Sequence, residues 1–241
     1  MQARARTSPA RWVSFSGIDG AGKSTQIEAL CAAASQAGMR VRVIRFWDEV
    51  ARLTGLRETS GHRIFKGDKG VGSPEKPLNR RDKNVRSWPM ACLRLLLYTA
   101  DAAATRAAVT RALRSGSNLV IFDRYIYDEL ANLNLRNPLM RVYVRAIMKL
   151  VPRPGASFIL DADPVQARAR KPEYPLEFIY INRRAYFDLS ELIGGMTVIA
   201  PGTIGEVQEQ VLRRALGNIE AGEGGSRRTG ENFSVEPAAL D

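Results

Sequence analysis

A glycine-rich stretch near the start of the chain carries the clearest chemical signal in the sequence. Residues 17–25 read Gly-Ile-Asp-Gly-Ala-Gly-Lys-Ser-Thr and match the pattern G-x-x-x-x-G-K-[ST]. The glycines allow the backbone to curl, so that successive N–H groups face inward and bind phosphate oxygens. The lysine adds a mobile positive charge, and the serine hydroxyl can ligate Mg²⁺. The stretch therefore predicts a nucleotide-phosphate site, whose binding residues are Gly17, Gly20, Ala21, Gly22, Lys23, Ser24 and Thr25.

A second chemical signal is the pair Asp123 and Arg124. The pair follows the apolar run 119–122, which fits a buried parallel strand. Ligands of parallel α/β sheets bind at the carboxyl ends of the strands, so we expect both side chains near the phosphate site. Asp123 can organise Mg²⁺ together with Ser24, and the Arg124 guanidinium can hold a phosphate through two hydrogen bonds. The alternative is a surface turn capped by the aspartate, but the buried run before the pair favours the functional interpretation.

The elements that must position these residues alternate between strands and helices. Strands are predicted at 12–16, 40–46, 118–122, 157–160 and 197–199. Helices are predicted directly after the glycine-rich stretch and at 90–114, 139–150, 164–169, 176–192 and 204–216. The alternation predicts an α/β fold in which helices cover both faces of a parallel five-stranded sheet. The end of the second strand should deliver Arg45 towards the cleft.

The longest predicted helix, 90–114, has an apolar stripe that we expect to face the core. The members of the stripe are Leu93, Leu96, Leu97, Ala100 and Ala104. Arg94 falls off this stripe, so we expect its side chain to stay in water.

The chain is predicted to contain one folded domain with less ordered ends. We expect a flexible N-terminus over 1–11, the domain over 12–219 and a disordered tail over 220–241. Within the domain, 53–89 lacks periodicity and is rich in Gly, Pro and charge. We interpret it as a solvated surface loop, with a basic flap that grasps phosphate as the alternative.

Composition restricts the class of protein. No apolar run approaches the roughly 20 residues needed to span a bilayer, and no signal peptide is expected because the first strand follows the basic opening segment directly. Cys31 and Cys92 lie far apart, which suits a reduced, cytoplasmic setting. The net charge of +11 suits a protein with anionic substrates. Nucleic acid is not expected as the main partner, because no base-stacking or recognition-helix pattern accompanies the charge.

Three stretches resemble thymidylate kinases, in the same order along the chain: 17–26, 95–101 (Leu-Leu-Leu-Tyr-Thr-Ala-Asp) and 122–125 (Phe-Asp-Arg-Tyr). Shorter stretches that agree are 160–164 (Leu-Asp-Ala-Asp-Pro) and 184–186 (Arg-Ala-Tyr). The resemblance thus covers most of the chain, and its more specific feature is the carboxylate of Asp19 within the phosphate loop. The resemblance implies a three-layer P-loop fold with ATP and Mg²⁺ as cofactors.

The resemblance also implies roles for individual residues. On the acceptor side it implies contacts to sugar, base and phosphate by Asp19, Tyr98, Asp101, Arg124 and Tyr125. On the donor side it implies a short basic lid over 166–176, which contains Arg168, Arg170 and Lys171. It further implies a loop over 200–203, including Thr203, that packs against adenine.

The sequence departs from the thymidylate kinase pattern mainly on the acceptor side. Arg-Phe-Trp-Asp at 45–48 replaces the family's Arg-Glu-Pro-Gly-Gly stretch, and Ala102 stands where the family commonly has an arginine for the acceptor phosphate. Ala104 and Thr105 replace polar residues that would read thymine. A charge-assisted hydrogen bond is worth about 1.5–3 kcal/mol, so its loss matters. The cations that could replace the missing arginine are Arg45, Arg106 and those of the basic flap.

Together these features predict a kinase that transfers the γ-phosphoryl of Mg-ATP to a small-molecule phosphate acceptor, a nucleoside monophosphate. The groups expected to neutralise the developing charge, and so to be catalytic, are Lys23, Arg124, Arg168 and Arg170. One alternative is a kinase of an unphosphorylated nucleoside or another small metabolite, which Ala102 favours. Another is a nucleotide-switch or nucleic-acid-associated P-loop protein, which the positive charge favours. No membrane partner is expected, and the sequence leaves a homodimer open.

Overall fold

The computed structural model describes residues 11–51 and 88–216. The N-terminus predicted over 1–11 and the loop predicted over 53–89 lie outside these residues, except that Arg11 begins a strand and 88–89 begin a helix. The predicted tail, 220–241, lies wholly outside them. No helix in the described part of the chain is long and apolar enough to cross a membrane.

Strands and helices alternate along the described chain as predicted. The strands are β1 (Arg11–Ser16), β2 (Val41–Arg45), β3 (Leu119–Asp123), β4 (Ala156–Leu160) and β5 (Thr197–Ile199). The helices are α1 (Lys23–Gln36), α2 (Trp88–Arg114), α3 (Ile126–Leu130), α4 (Pro138–Leu150), α5 (Pro164–Arg170), α6 (Leu176–Ile193) and α7 (Ile204–Leu216). A π-helical segment, Phe46–Val50, follows β2.

The strands form one parallel sheet in the order β2-β3-β1-β4-β5. After β1 the chain forms β2 and β3 on one side of that strand. It then crosses to the other side of β1 to form β4 and β5. In register, Phe15 of β1 lies beside Asp123 of β3, which in turn lies beside Arg45 of β2. The carboxyl ends of three neighbouring strands therefore meet at one edge, where open α/β sheets bind their ligands.

The strands bury the side chains on both faces of the sheet, and helices cover both faces. Trp12, Val120 and Phe122 belong to the core on the side of α2, α3, α4 and α6. Val13 and Ile121, one residue out of phase, belong to the core on the side of α1 and α7. This three-layer α/β arrangement with a five-stranded parallel sheet confirms the fold predicted from the sequence.

The buried face of α2 differs from the apolar stripe predicted for it. Leu93 and Leu96 are 43% and 67% exposed and Ala100 is also exposed, so the predicted stripe is wrong for these three residues. The buried residues of the helix are instead Tyr98, Asp101, Ala102, Thr105, Ala108, Val109 and Ala112. Most side chains on this face are small or hydrogen-bonded, which allows neighbouring elements to pack close to the helix. Thr105, for example, donates to the carbonyl oxygen of Asp101, at a distance of 2.7 Å.

Arg94 is also placed differently from its expected position in water. Its Nε donates to the hydroxyl of Tyr98 over 2.9 Å, and its Nη2 donates to the carbonyl of Asn132 over 3.4 Å. The guanidinium lies 5.4 Å from the centre of the Tyr98 ring. The Arg94 side chain therefore lies along the helix and covers the buried ring of Tyr98.

Candidate active site

The glycine-rich stretch forms a tight loop between β1 and α1. Gly17 and Gly20 have φ values of 133° and 82°, a region that residues with a Cβ rarely adopt. A Cβ at Gly17 would lie 2.4 Å from the carbonyl oxygen of Leu160, and one at Gly20 would lie 2.3 Å from that of Ala167. The loop is thus held between the end of β4 and helix α5, and both positions need glycine.

Lys23 is the first residue of α1 and is buried within the loop. Its ammonium donates to the carbonyls of Gly17 and Ile18, each over 2.8 Å. Burial, reinforced by the nearby guanidinium of Arg124, lowers the pKa of Lys23 to about 8. The loop therefore holds a positive charge at its centre, which donates to two carbonyl oxygens and is acted on through space by the carboxylates of Asp19, Asp123 and Asp128.

The start of α1 leaves its first N–H groups open to an anion. Gly22 is the N-cap residue and provides no side-chain hydrogen bond to them. Ser24 and Thr25, in the first turn, are exposed, and no acidic residue lies there. The partial positive charge of the helix end thus adds to that of Lys23.

Arg124 connects the loop to the end of β3. Its Nη2 forms an ion pair with the carboxylate of Asp19, and its Nη1 lies 2.9 Å from Oδ1 of Asp128. Burial works to raise the pKa of Asp19, but Arg124, Lys23 and Lys171 outweigh it and hold that pKa below its usual range. The structure therefore brings together Asp19, Lys23 and Arg124, as the sequence predicted.

Asp128 is part of this network and was missed in the sequence. It lies on α3 and is 4% exposed. Its carboxylate accepts from the hydroxyls of Ser16 and Tyr186, both over 2.7 Å, as well as from Arg124. The spacing of four residues between Arg124 and Asp128 is not a helical pair, because Arg124 lies before α3 and has a φ of 66°, so no sequence pattern indicated their contact.

Two cations of the predicted lid reach the loop, from α5 and from the residue after it. Nη1 of Arg170 donates to the carbonyl of Gly20 over 3.1 Å, and Nζ of Lys171 lies 3.8 Å from Oδ1 of Asp19. Arg168, on the same helix, is half-buried and makes no hydrogen bond or ion pair with the loop in the described part of the chain. The predicted lid thus packs on the loop through Arg170 and Lys171.

A cleft of about 300 Å³ opens beside the loop, at the carboxyl ends of β4 and β5. Its lining includes Ala21, Asp161, Gln166, Arg170, Pro201 and Gly202. Thr203, part of the loop predicted to pack against adenine, caps α7: its N–H and hydroxyl donate to Oε2 of Glu206, at 2.8 and 2.9 Å. The loop expected against adenine therefore borders the cleft through Pro201 and Gly202.

The fold is similar to that of a known protein, although the sequence is not. No protein-family model matches the sequence, and no curated protein matches it either. Among solved structures, the crystal structure of thymidylate kinase from Ehrlichia chaffeensis is 19% identical, with a TM-score of 0.53, and the match covers 86% of this chain and 98% of that one. The chain has a thymidylate kinase-like P-loop fold. At this identity the likeness shows the fold and not the substrate.

The predicted metal residues lie on either side of the loop in this thymidylate kinase-like fold. Ser24 is exposed in the first turn of α1, and Asp123 ends β3. In the described part of the chain the Asp123 carboxylate has no hydrogen-bond or ion-pair partner, and its charge acts on Lys23. A hydroxyl and a free carboxylate are oxygen ligands that fit Mg²⁺, which keeps several waters and binds few protein groups. No larger group of metal-ligating side chains occurs within residues 11–51 and 88–216.

Tyr98 and Asp101, predicted on the acceptor side, are both buried on α2. The hydroxyl of Tyr98 is hydrogen-bonded to Arg94 and to the carboxylate of Glu129, and burial raises the pKa of Tyr98. Arg45 lies exposed at the end of β2, next to Asp123 in the sheet. Sequence reasoning missed Glu129, since helix α3, which carries it, was not predicted.

Two predicted acceptor residues lie away from the loop. Tyr125 is fully buried, and its hydroxyl donates to the carbonyl of Pro152 over 2.6 Å, because its ring packs into the aromatic core below the sheet edge. Arg106 is exposed and donates to the carbonyl of Leu150 over 3.3 Å, because its position falls outside the buried face of α2. Neither side chain therefore occupies the place predicted for it.

Proposed function

We propose that this protein is a kinase that transfers the γ-phosphoryl group of ATP to the phosphate of a nucleoside monophosphate. The observation that supports the proposal is the convergence of cations on the glycine-rich loop. Lys23 comes from α1, Arg124 from the end of β3 and Arg170 from α5, and all three contact the loop's own atoms. Phosphoryl transfer relies on positioning and charge neutralisation, which such a convergence supplies.

In the proposed reaction, a P–O bond forms to the acceptor oxygen as the bond between the γ-phosphorus and the bridging oxygen of ATP breaks, and ADP leaves. Lys23 exchanges the carbonyls of Gly17 and Ile18 for phosphate oxygens, and the open N–H groups of α1 bind the same anion. Arg124 stabilises the transferring group from the acceptor side. Mg²⁺, held through Ser24 and Asp123, would neutralise charge on the phosphates. No covalent intermediate with the protein is required.

The 300 Å³ cleft supports ATP as the donor. It opens beside Ala21 in the loop and extends to Pro201 and Gly202, so a base bound there would remain connected to phosphates in the loop. A volume of this size lies at the lower end of the range for small-molecule sites. Arg170 lines the cleft and donates to the carbonyl of Gly20 in the loop, so it would contact phosphates bound there.

A second candidate acceptor is an unphosphorylated nucleoside or another small metabolite. The observation that favours it is the buried face of α2, which presents Tyr98, Asp101, Ala102 and Thr105. The basic side chain that contacts this face is Arg94, whose guanidinium is hydrogen-bonded to the hydroxyl of Tyr98 and to the carbonyl of Asn132. A phosphate acceptor would then have to rely on Arg124 or on cations from other segments.

The acceptor can be identified by following ADP formation from Mg-ATP with a panel of nucleosides and nucleoside monophosphates. We expect stimulation by one or more monophosphates. Stimulation by nucleosides only would select the second candidate. Turnover that depends on DNA or RNA, with no response to small acceptors, would favour the nucleotide-switch alternative and contradict the proposal.

A further inference from the structure

Asp128 is the most heavily hydrogen-bonded carboxylate in the described site. Hydroxyl groups from two other elements donate to it: Ser16 at the end of β1 and Tyr186 on α6, each over 2.7 Å. Nη1 of Arg124 donates over 2.9 Å, and the N–H of Tyr125 over 3.3 Å. The side chain is only 2% exposed, so this carboxylate is held in one orientation.

Arg124 has a backbone conformation that needs such support. Its φ of 66° makes it the one non-glycine residue with positive φ in the described part of the chain. A bulky residue in this region is strained and keeps the conformation only where its surroundings impose it. The N–H of Arg124 donates to the carbonyl of Phe15 over 3.0 Å, which fixes the main chain to β1. Asp128 fixes the other end of the same residue, at the guanidinium.

The two edges of the Arg124 guanidinium have different environments. Nη1 faces Asp128, whose side chain is 2% exposed, whereas Nη2 faces Asp19, whose side chain is 22% exposed. Because a guanidinium is a rigid planar fork, fixing one edge determines where the other points. A phosphate entering from solvent can replace Asp19 but not Asp128.

We propose that Asp128 is a positioning residue that holds the inner edge of Arg124, so that the outer edge is offered to the transferring phosphoryl group. Asp19 occupies that outer edge until a phosphate replaces it. This inference rests on the proposed kinase function for its kinetic consequence. The placement of the guanidinium itself does not depend on that function.

The test compares Asp128→Asn with wild type, alone and in an Arg124→Ala background. Asparagine keeps the size of the side chain and removes its charge, and Asp128→Ser is the second variant should the first fail to fold. We expect kcat to fall about a hundredfold, with the KM for ATP unchanged, because Lys23 and the loop are intact. In the Arg124→Ala background the same change should have no further effect on kcat, since Asp128 acts through that arginine.

Tyr186→Phe is the matched control, because it removes a donor to the same carboxylate and leaves the charge pair in place. We expect it to lower kcat less than tenfold. Wild-type kcat in folded Asp128→Asn, or an equal loss with and without Arg124, would overturn the proposal. Unfolding of both Asp128 variants in either background would also overturn it, since the role would then be structural.

If wild type shows no turnover with any acceptor, the kinase proposal fails, and the placement of Arg124 is decided by NMR. The expected result is a guanidinium that rotates slowly about its Cζ–Nε bond in wild type and rapidly in Asp128→Asn. Equal rotation rates in the two proteins would overturn the positioning role, whether or not the protein is a kinase.

Discussion

At the scale of single residues, Lys23 is a buried cation at the centre of the glycine-rich loop. Its ammonium is buried, and the carbonyls of Gly17 and Ile18 accept from it. Burial lowers the pKa of Lys23 to about 8. The two carbonyl dipoles compensate the charge of the ammonium group less well than a phosphate would. An arriving polyphosphate would stabilise the charged form and raise that pKa.

The lowered pKa predicts pH-dependent nucleotide binding. As pH rises through about 8, folded protein without ligand loses the Lys23 proton, and the affinity for ATP should fall by up to about tenfold per pH unit. At pH near 8.5, binding should take up protons, measurable by calorimetry in buffers of different ionisation enthalpy. Lys23→Arg, which stays charged, should show neither effect. Affinity that is constant in wild type between pH 7 and 9 would contradict the assignment.

The same shift affects stability, with a sign that can be checked. Between about pH 8 and 10.5 the unfolded chain binds the Lys23 proton and the folded protein does not. The free energy of unfolding should therefore gain a contribution from this residue as pH rises through that window. Lys23→Met should lack that contribution, as urea titrations of both proteins at several pH values would show.

At the scale of elements, α5 packs directly on the phosphate loop. The close approach occurs at Gly20, where a Cβ would lie 2.3 Å from the carbonyl oxygen of Ala167. Arg170 adds a hydrogen bond to the carbonyl of Gly20. Helix α5 and the loop should therefore stabilise each other.

Gly20→Ala and Gly38→Ala measure this packing as a matched pair. Both glycines have similar φ values, 82° and 73°, but a Cβ at Gly38 would meet nothing within 4 Å. Gly38→Ala should lower the free energy of unfolding by about 1–2 kcal/mol through backbone strain alone. Gly20→Ala should lower it by about 1–3 kcal/mol more, because α5 must move. Equal losses in urea denaturation would show that α5 does not restrain the loop.

The elements also show which parts of the site could be predicted from the sequence. The apolar run 119–122 predicted a buried strand. Because ligands bind at the carboxyl ends of parallel strands, Asp123 and Arg124 were then predicted to lie near the loop. The buried face of α2 could not be read from hydrophobicity, since it carries Asp101 and Thr105 while Leu96 stays exposed. Asp128 was missed because α3 is too short to show helical periodicity, and its burial depends on contacts from two distant segments, those of Ser16 and Tyr186.

At the scale of the whole molecule, the sheet order places the cleft and the Asp123–Arg124 pair on opposite sides of β1, which would separate the proposed donor and acceptor sites. The cleft lies at the ends of β4 and β5, whereas Arg124 and Asp123 follow β3 on the other side. The loop after β1 is the point where the two sides meet. A ligand bound there would contact elements from both halves of the sheet and so stabilise the fold as a unit.

Ligand-linked stability tests this arrangement. Mg-ATP at about 100 times its Kd should raise the free energy of unfolding by about 2.7 kcal/mol, which corresponds to an increase in Tm of about 5–10 °C. Lys23→Met should fold with an unchanged or higher Tm, because it removes a buried charge, but should show little response to Mg-ATP. Lys149→Met, at an exposed position on α4, should respond like wild type. Equal responses of Lys23→Met and wild type would place the nucleotide elsewhere.

The most direct test of the kinase proposal is ³¹P NMR of the protein with Mg-ATP and each nucleoside monophosphate in turn. The proposal predicts that the ATP γ-phosphorus signal declines as the β-phosphorus signal of a new nucleoside diphosphate appears, and that Lys23→Met slows this transfer at least about a hundredfold. Folded wild-type protein that binds Mg-ATP but transfers phosphorus to no monophosphate would contradict it.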